Sequence, residues 1–535
     1  MVSIQDFLTY LPEATLLIAT FVVFLLDVAG VKKRAVLGGV STAFILLVLL
    51  EILGDLRAWP FSALATISQS SVGTVNGPII FTSFGFIFQA VFASVALLVS
   101  FASLSDPDEE GSPTFYALLL LAVLGMLIVA VSADLILLLL AVEVTGISTY
   151  VLVGYTQKDR RALEAAMKFY IIGALSTTIS FFGASLLFGA YGTTSLAAFA
   201  PPNSPSDPAL ALVGFAMVAA GLGFKATLVP FHMWAVDVYD GAPSTVSAFL
   251  SAGSKKMGLF AIFAIFVGAV RVFGVAGEGY SLYFALGALA VITMTIGNVL
   301  ALEQQTMKRM LAYSSIAQAG YMLLGIAVDT PPALAGATLQ IIANVLMKGG
   351  AFIVVAIAVS VGIGPLITDY KGLGHTRPGL AACFAVMLLS LAGMPLTLGF
   401  VGKFYLFFAA IEAGGWFTTL AVAGLLNSAI SVFYYARVLK YMYMPDEGVK
   451  TAVVAPPRAL AHSKAAVGRA PGAEIGFKVS GGASMSLWQE IKSSGMARWM
   501  AVFICAFLIL LFGIYPTPML NMINTAAQQF WTLGI

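Results

Sequence analysis

The chain has 535 residues, of which 60% are hydrophobic and only 10% charged, with a mean hydropathy of +0.97. That balance excludes a soluble globule and describes a polytopic, all-α membrane protein. The net charge of +2 carries no signal for nucleic acid, and the two cysteines, Cys383 and Cys505, lie far apart in apolar segments, which suggests neither a disulfide framework nor a metal site.

Hydropathy and length predict about fourteen helical spans. The first two cover roughly 11–30 and 35–54, separated by the basic stop Lys32-Lys33-Arg34. The opening stretch reads as a first span rather than a cleavable leader, because it lacks a basic start and carries Glu13 before its apolar run. A polar stretch from Arg57 to Asn76 follows, then spans at about 79–104 and 114–131 around the acidic loop SDPDEEGSP. The fifth span, about 134–154, contains Glu143; the loop QKDRRALEA leads to the sixth, about 165–189. The seventh and eighth cover about 209–239 and 244–272, and the ninth to eleventh about 281–302, 311–328 and 334–362. The last three cover about 379–411, 417–443 and 499–520. Pro445 to Lys492 is rich in Ala, Gly, Ser, Pro and Lys and reads as a mobile basic loop, suited to lipid headgroups or a partner, or simply a tolerated insertion.

Alternating the spans gathers Lys32, Lys33, Arg34, Lys158, Arg160, Arg161, Lys168, Lys308, Arg309, Lys371, Arg377 and the segment Arg437–Arg498 on one side, leaving Arg57 and Arg271 on the other. The rich side is therefore expected to be cytoplasmic, with both termini outside.

The stretch Gly221–Lys256, GLGFKATLVPFHMWAVDVYDGAPSTVSAFLSAGSKK, places Lys225, His232, Lys255 and Lys256 at membrane depth. A charge there costs roughly 2.5–3.5 kcal/mol on insertion scales, so ionisable groups inside spans point to function. Pro230 follows Lys225 closely and breaks the helix, and an opened helix is tolerated in a membrane only beside protein or a wet cavity. Asp237 and Asp240 are expected to cap the GAP turn that follows.

Glu143, Lys225, Lys255, Lys348 and Lys403 fall on five different spans. Burial disfavours the charged form of each type, so a Glu–Lys pair is suited to proton exchange, the favoured reading because charge at this depth is usually functional; the alternative is an ion pair that only fixes helix packing. Adjacent helical residues point about 100° apart, so Lys255 and Lys256 do not share one path. His232 suits a proton relay, or a structural role at a span end. Asn344 and Lys348 lie on one helix face. A series of this kind implies a shared channel for protons or hydrated cations.

The seventh and twelfth spans share a design of Gly-rich helix, proline and lysine, GLGFKATLVPF and LAGMPLTLGFVGKF, with breaks at Pro230 and Pro395. Paired broken helices are a signature of repeat-built transporters. Among the three histidines, His232, His375 and His462, no pair suits haem, and no Gly-rich phosphate loop follows a strand, so no redox cofactor is expected in this chain.

The stretches LPEATLL, FHMWAVDVYDGAPSTVSAFLSAGSK, MKRMLAYSSIAQAGYMLLG, LMKGGAFIVV, DYKGLGHTRPGL and LSLAGMPLTLGFVGKFYLF resemble subunit N of respiratory complex I, within the Mrp-type antiporter family. The resemblance implies fourteen helices with two inverted five-helix repeats. It divides the chain into an N-terminal segment 1–113, repeats at 114–272 and 273–443, a loop 444–498 and a last helix with outer tail 499–535. It implies proton transfer by Glu143, Lys225, Lys255 and Lys403, with His232, Lys348, Lys256 and Gln318 secondary. Gln318 stands where the family commonly has histidine, so the link between the halves would rely on water. Val236 stands where the family has proline, which alters a turn. The resemblance also implies antiporter-like and small membrane subunits as partners, flavin, iron–sulfur clusters and quinone in other subunits, and a prokaryotic plasma membrane. Two other readings remain: a Mrp-type Na+/H+ antiporter subunit, and a scaffold whose charges only hold helices together.

Overall fold

The computed structural model describes residues 10–56, 75–106, 112–156, 159–275, 280–444, 489–491 and 495–533. The expectations for Arg57, Lys158, His462, residues 107–111 of the acidic loop and most of the basic loop lie outside these. The helices in chain order are α1 (Leu11–Val28), α2 (Arg34–Asp55), α3 (Ser83–Ser103), α4 (Ser112–Val131), α5 (Leu135–Val153) and α6 (Arg160–Tyr191). Next come α7 (Pro208–Ala226), α8 (Met233–Gly241), α9 (Ser244–Phe249), α10 (Lys255–Val275), α11 (Tyr280–Glu303), α12 (Met307–Val328) and α13 (Pro331–Ser360). The last five long helices are α14 (Pro378–Ala392), α15 (Leu398–Ala413), α16 (Gly415–Tyr443), α17 (Met496–Ile514) and α18 (Thr517–Leu533). A two-residue antiparallel pair, Val75–Asn76 with Ile79–Ile80, precedes α3.

Thirteen helical segments among the described residues are long and apolar enough to cross a membrane, and the shorter α14 belongs to a broken crossing with α15. The protein is a multi-pass integral membrane protein, as its composition predicts. Local chemistry sets the helix starts. Asp134 accepts from the amides of Ile136 and Leu137 at 2.9 and 3.0 Å, capping α5. Asp159 accepts from the Arg161 amide, so α6 begins at Arg160 and takes in residues expected to be loop. Asp207 caps α7 ahead of Pro208 at its first position.

The core lies around α9–α10, α12 and α13. The apolar windows of Ser244–Ala269, α12 and α13 are 100%, 94% and 89% buried, against 28% for α1 and for α16. The innermost helices are thus those that carry Lys255, Lys348 and Gln318. Close approach makes this possible: a Cβ added at Gly297 on α11 would lie 2.5 Å from the backbone nitrogen of Ala317 on α12.

The seventh span is interrupted between Ala226 and Met233, and the twelfth between Ala392 and Leu398, as expected from Pro230 and Pro395. Two other expectations need correction. The fourteenth stops at Ile514, before Pro516, and a separate amphipathic helix, α18, follows. Its buried residues Met519, Leu520, Ile523, Ala526, Ala527 and Phe530 recur every three or four positions, a pattern that whole-window hydropathy averages away. Asp237 does not cap the GAP turn; it pairs with Arg309 at 3.0 Å and Lys168 at 3.3 Å.

One buried ion triad ties the ends of the chain together. Asp106 pairs with Arg34 at 3.1 Å and with Arg498, and accepts from Thr245 at 3.2 Å. It thereby joins the starts of α2, α9 and α17. At the C-terminal end of α12, Asp329 sits 3.6 Å from Arg271, accepts from Tyr283 at 3.2 Å, and its carbonyl accepts from Trp531 of α18. Burial raises the Asp329 carboxyl to about 7, against the opposing pull of Arg271, Tyr283 and Trp531.

Candidate functional site: a buried polar line between two helix breaks

At the first break, α7 ends with Lys225 in its last turn and Thr227 in the left-handed region at φ 59°. Lys225 is 4% exposed, and its Nζ donates to the Tyr150 hydroxyl at 2.7 Å. The position beside the carbonyl end of a helix favours a cation. Glu143 accepts from Thr177 at 2.6 Å and shares with Lys225, Ser176, Thr177 and Ser180 a cavity of about 10 Å³. That is close to the ~10–15 Å³ needed by one water. No ion pair within 4.0 Å joins Glu143 and Lys225. Gly146 keeps the space between them open: a Cβ there would lie 2.5 Å from Lys225 Nζ and 3.4 Å from Glu143 Oε2.

A π-helical turn, Leu250–Ser254, interrupts the eighth span just before Lys255. Such turns occur often at functional positions. Lys255 Nζ donates to Ser315 Oγ at 2.9 Å. Lys256 turns away from this contact, and its Nζ finds no hydrogen-bond partner among the described residues. Lys348 Nζ donates to the Leu311 carbonyl at 2.9 Å and to Ser314 Oγ. Asn344 is fully buried, and both its side-chain polar atoms are unpartnered among the described residues.

Leu311, Ser314, Ser315 and Gln318 therefore form one stripe of α12 at spacing i, i+3, i+4 and i+7. Gln318 extends it. Its Oε1 accepts from Gln340 at 2.8 Å, and its Nε2 donates to the Leu391 carbonyl at 3.3 Å.

The second break begins where α14 ends in left-handed Gly393 at φ 88°. This parallels Thr227 at the first break. Lys403, on α15, reaches back across the break: its Nζ donates to the carbonyls of Leu391 and Ala392 at 3.1 and 3.2 Å and to Ser428 Oγ at 3.0 Å. The Tyr321 ring lies 4.9 Å from the same nitrogen. In one half the lysine sits on the helix that ends at the break, and in the other on the helix that resumes. This explains the reversed order of lysine and proline in the two sequence motifs.

The structure thus brings Lys255, Lys348 and Gln318 onto one helix face, with Lys403 at its far end, and pairs Glu143 with Lys225 across a small cavity. His232 stands at the start of α8, half-buried, with Nδ1 unpartnered, outside the hydrogen bonds of Lys225. Sequence reasoning missed Tyr150, Ser314, Ser315, Gln340 and Ser428. The two serines were within reach, since AYSSIAQAGY shows their spacing to Gln318; Tyr150 and Ser428 carry no local signal. No group of three His, Cys, Asp or Glu side chains able to hold a metal occurs among the described residues.

A family model described as NADH:quinone oxidoreductase/Mrp antiporter, transmembrane, matches residues 132–431. The chain belongs to this family. Both breaks and every lysine of the polar line fall inside the match. Relatives within the family include subunit N proteins, as the motifs implied. The F(420)H(2) dehydrogenase subunit N of Methanosarcina mazei is 45% identical over 419 residues, 75% of this chain and 80% of that protein. The NADH-quinone oxidoreductase subunit N of Anaeromyxobacter sp. strain Fw109-5 is 34% identical over 99% of this chain and 98% of its own length. A chain of respiratory complex I from Thermus thermophilus, solved with bound aureothin, superposes with a TM-score of 0.71 at 28% identity, over 95% of this chain and 98% of that one.

Proposed function

We propose that this chain is a proton-translocating membrane-arm subunit of a complex-I-like oxidoreductase that passes electrons to a quinone in other subunits. The observation that supports this best is the α12 stripe. It holds Lys255 through Ser315 and Lys348 through Ser314, and it reaches through Gln318 the carbonyl that also binds Lys403.

In this reading Glu143 and Lys225 exchange a proton through the water-sized cavity between them. Lys225, Lys255 and Lys403 pass it laterally, and Lys403 releases it toward the outer side. Lys348 and Lys256 hold charge along the way, and His232 feeds the first break. Gln318 cannot titrate, so it orients the link while water carries the proton past it. Neutral hydroxyls and carbonyls are the partners of Lys255, Lys348 and Lys403, which lets each lose its proton without breaking an ion pair.

The same reading sets residues 114–272 and 273–443 as two inverted repeats, after an N-terminal segment 1–113 and before the loop 444–498 and last segment 499–535. It places the Lys- and Arg-rich ends on the cytoplasmic side of a prokaryotic plasma membrane and both termini outside. Flavin, iron–sulfur clusters and quinone belong to partner subunits, which also fix the electron donor, F420H2 or NADH by the names of the relatives. A Mrp-type antiporter subunit is the second reading, favoured by the lysine line itself, which would serve sodium-linked exchange equally.

The test is isolation of the assembled complex from native membranes, with proton uptake measured in inverted vesicles for wild type and Lys225→Ala. Flavin- and iron–sulfur-bearing companions, with translocation lost in the variant while the complex remains assembled, are expected. Unchanged translocation in Lys225→Ala, or cofactor-free companions with sodium-dependent exchange, would overturn the proposal.

A further inference from the structure

Asn298 of α11 lies outside the lysine line, yet it is fully buried and its amide is saturated. Its Nδ2 donates to the Tyr321 hydroxyl at 3.1 Å, to the Asn427 carbonyl at 3.1 Å and to Asn427 Oδ1 at 3.2 Å. Its Oδ1 accepts from the Tyr434 hydroxyl at 3.0 Å. One side chain thus clamps α11 to α12 and, through Asn427 and Tyr434, to α16.

Both anchor points serve Lys403. Tyr321 is the aromatic platform under its ammonium, and Asn427 is the neighbour of Ser428, which accepts from its Nζ. Asn427 is fixed further by donating to Thr295 Oγ1 and to the Ala423 carbonyl. Lys403 itself lies on a half-helix that starts afresh after the break, so its height is not fixed by a continuous helix.

We propose that Asn298 is a positioning residue for Lys403: it fixes the ring and the hydroxyl between which the lysine head rests. The network consists of amides, phenols and hydroxyls with no carboxylate or imidazole, so it holds geometry rather than conducting protons. Fully satisfied buried amides of this kind specify one arrangement, because each lost partner leaves a group without water to replace it.

The inference rests on Lys403 taking part in proton transfer, and the experiment separates the two. Asn298→Leu, Asn298→Asp and Lys403→Ala are introduced into the assembled complex. Protons moved per electron are then measured in inverted vesicles as a function of pH. Asn298→Leu loosens both supports, so the ammonium is held less well and the alkaline limb of the profile moves to lower pH, with fewer protons per electron. Asn298→Asp keeps the size and adds a carboxylate near the cation, so that limb moves to higher pH. The Asn298→Leu displacement is the one a residue that only packs does not produce, and the Asn298→Asp displacement shows that the site lies within electrostatic reach of the cation. Wild-type profiles in both Asn298 variants, equal displacement in one direction, or loss of assembly in both would overturn the proposal. Wild-type translocation in Lys403→Ala would instead overturn the role of Lys403 on which it rests.

Discussion

Lys403 and Gln318 donate to the same carbonyl oxygen, that of Leu391 in the last turn before the second helix break. The end of the lysine series and the stripe of α12 are therefore joined through one backbone atom freed by the interruption of a helix. Gln318→Leu removes that joint and strands the Gln340 amide that donates to it, a loss of about 1–3 kcal/mol. The translocation rate should fall about tenfold, equivalent to about 1.4 kcal/mol in the transfer step. Gln318→His should retain translocation and add an acidic limb, since an imidazole titrates where an amide does not. Vesicle acidification across pH, normalised to assembled complex, decides; two wild-type profiles would remove Gln318 from the path.

Gly146 governs the first half in a different way. A methyl group at this position would press on Lys225 Nζ at 2.5 Å and disturb its contact with Tyr150 without altering any charge. The atom met is the flexible end of Lys225 and not backbone, so Gly146→Ala should leave stability nearly unchanged and should depress coupled translocation. Gly39→Ala is the control, since its Cβ would meet nothing within 4 Å and a helical alanine is favoured over glycine. Equal behaviour of the two variants in a translocation assay would refute the geometric argument.

The triad at Asp106 concerns assembly rather than turnover. Asp106→Ala leaves the buried Arg34 and Arg498 guanidinium groups facing one another without a counter-charge. Breaking a buried pair from one side costs about 3–5 kcal/mol. The thermal midpoint of the detergent-solubilised complex should drop, and the yield of intact complex with it. Glu164→Ala, which breaks only the exposed pair with Lys168, should leave both unchanged. An Asp106 variant with a wild-type midpoint would show that water screens the site.

Asp329 predicts a pH dependence with a definite sign. Its folded-state value, about 7, lies above the ordinary aspartate value of about 3.9. The folded chain therefore binds the proton more tightly than the unfolded chain. The stability contributed is complete below about pH 4 and is lost as pH rises to about 7, on the order of a few kcal/mol in all. Asp329→Asn should flatten unfolding curves compared between pH 5 and 8. A slope that persists in the variant would assign the dependence to another group.

Much of the fold was legible from the sequence because apolar runs of helical length are the direct imprint of a bilayer. Pro230 and Pro395 marked both breaks for the same local reason. What escaped was non-local or half-polar. Asp159 is one capping residue in a charged loop, and its effect on the start of α6 is invisible to hydropathy. The amphipathic α18 dilutes its apolar face with asparagine and glutamine. Lys225 and Lys403 could be picked out as costly charges at depth. Their partners Tyr150 and Ser428 could not, since a tyrosine or serine in a span is unremarkable until a lysine 75 or 25 residues away in sequence folds against it.

The polar line is not symmetric in charge. Of the side chains that build it, only Glu143 is acidic, and it stands at one extreme, beyond Lys225. From there on, Lys225, Lys255, Lys348 and Lys403 are each held by neutral oxygens. A positive charge is thus favoured near Glu143 and increasingly unaccompanied toward Lys403, which tilts the electrostatic landscape along the line. In the proposed proton-transfer role this gives the line a direction: work must be supplied to drive a cation away from the acidic end, and relaxation alone returns it there.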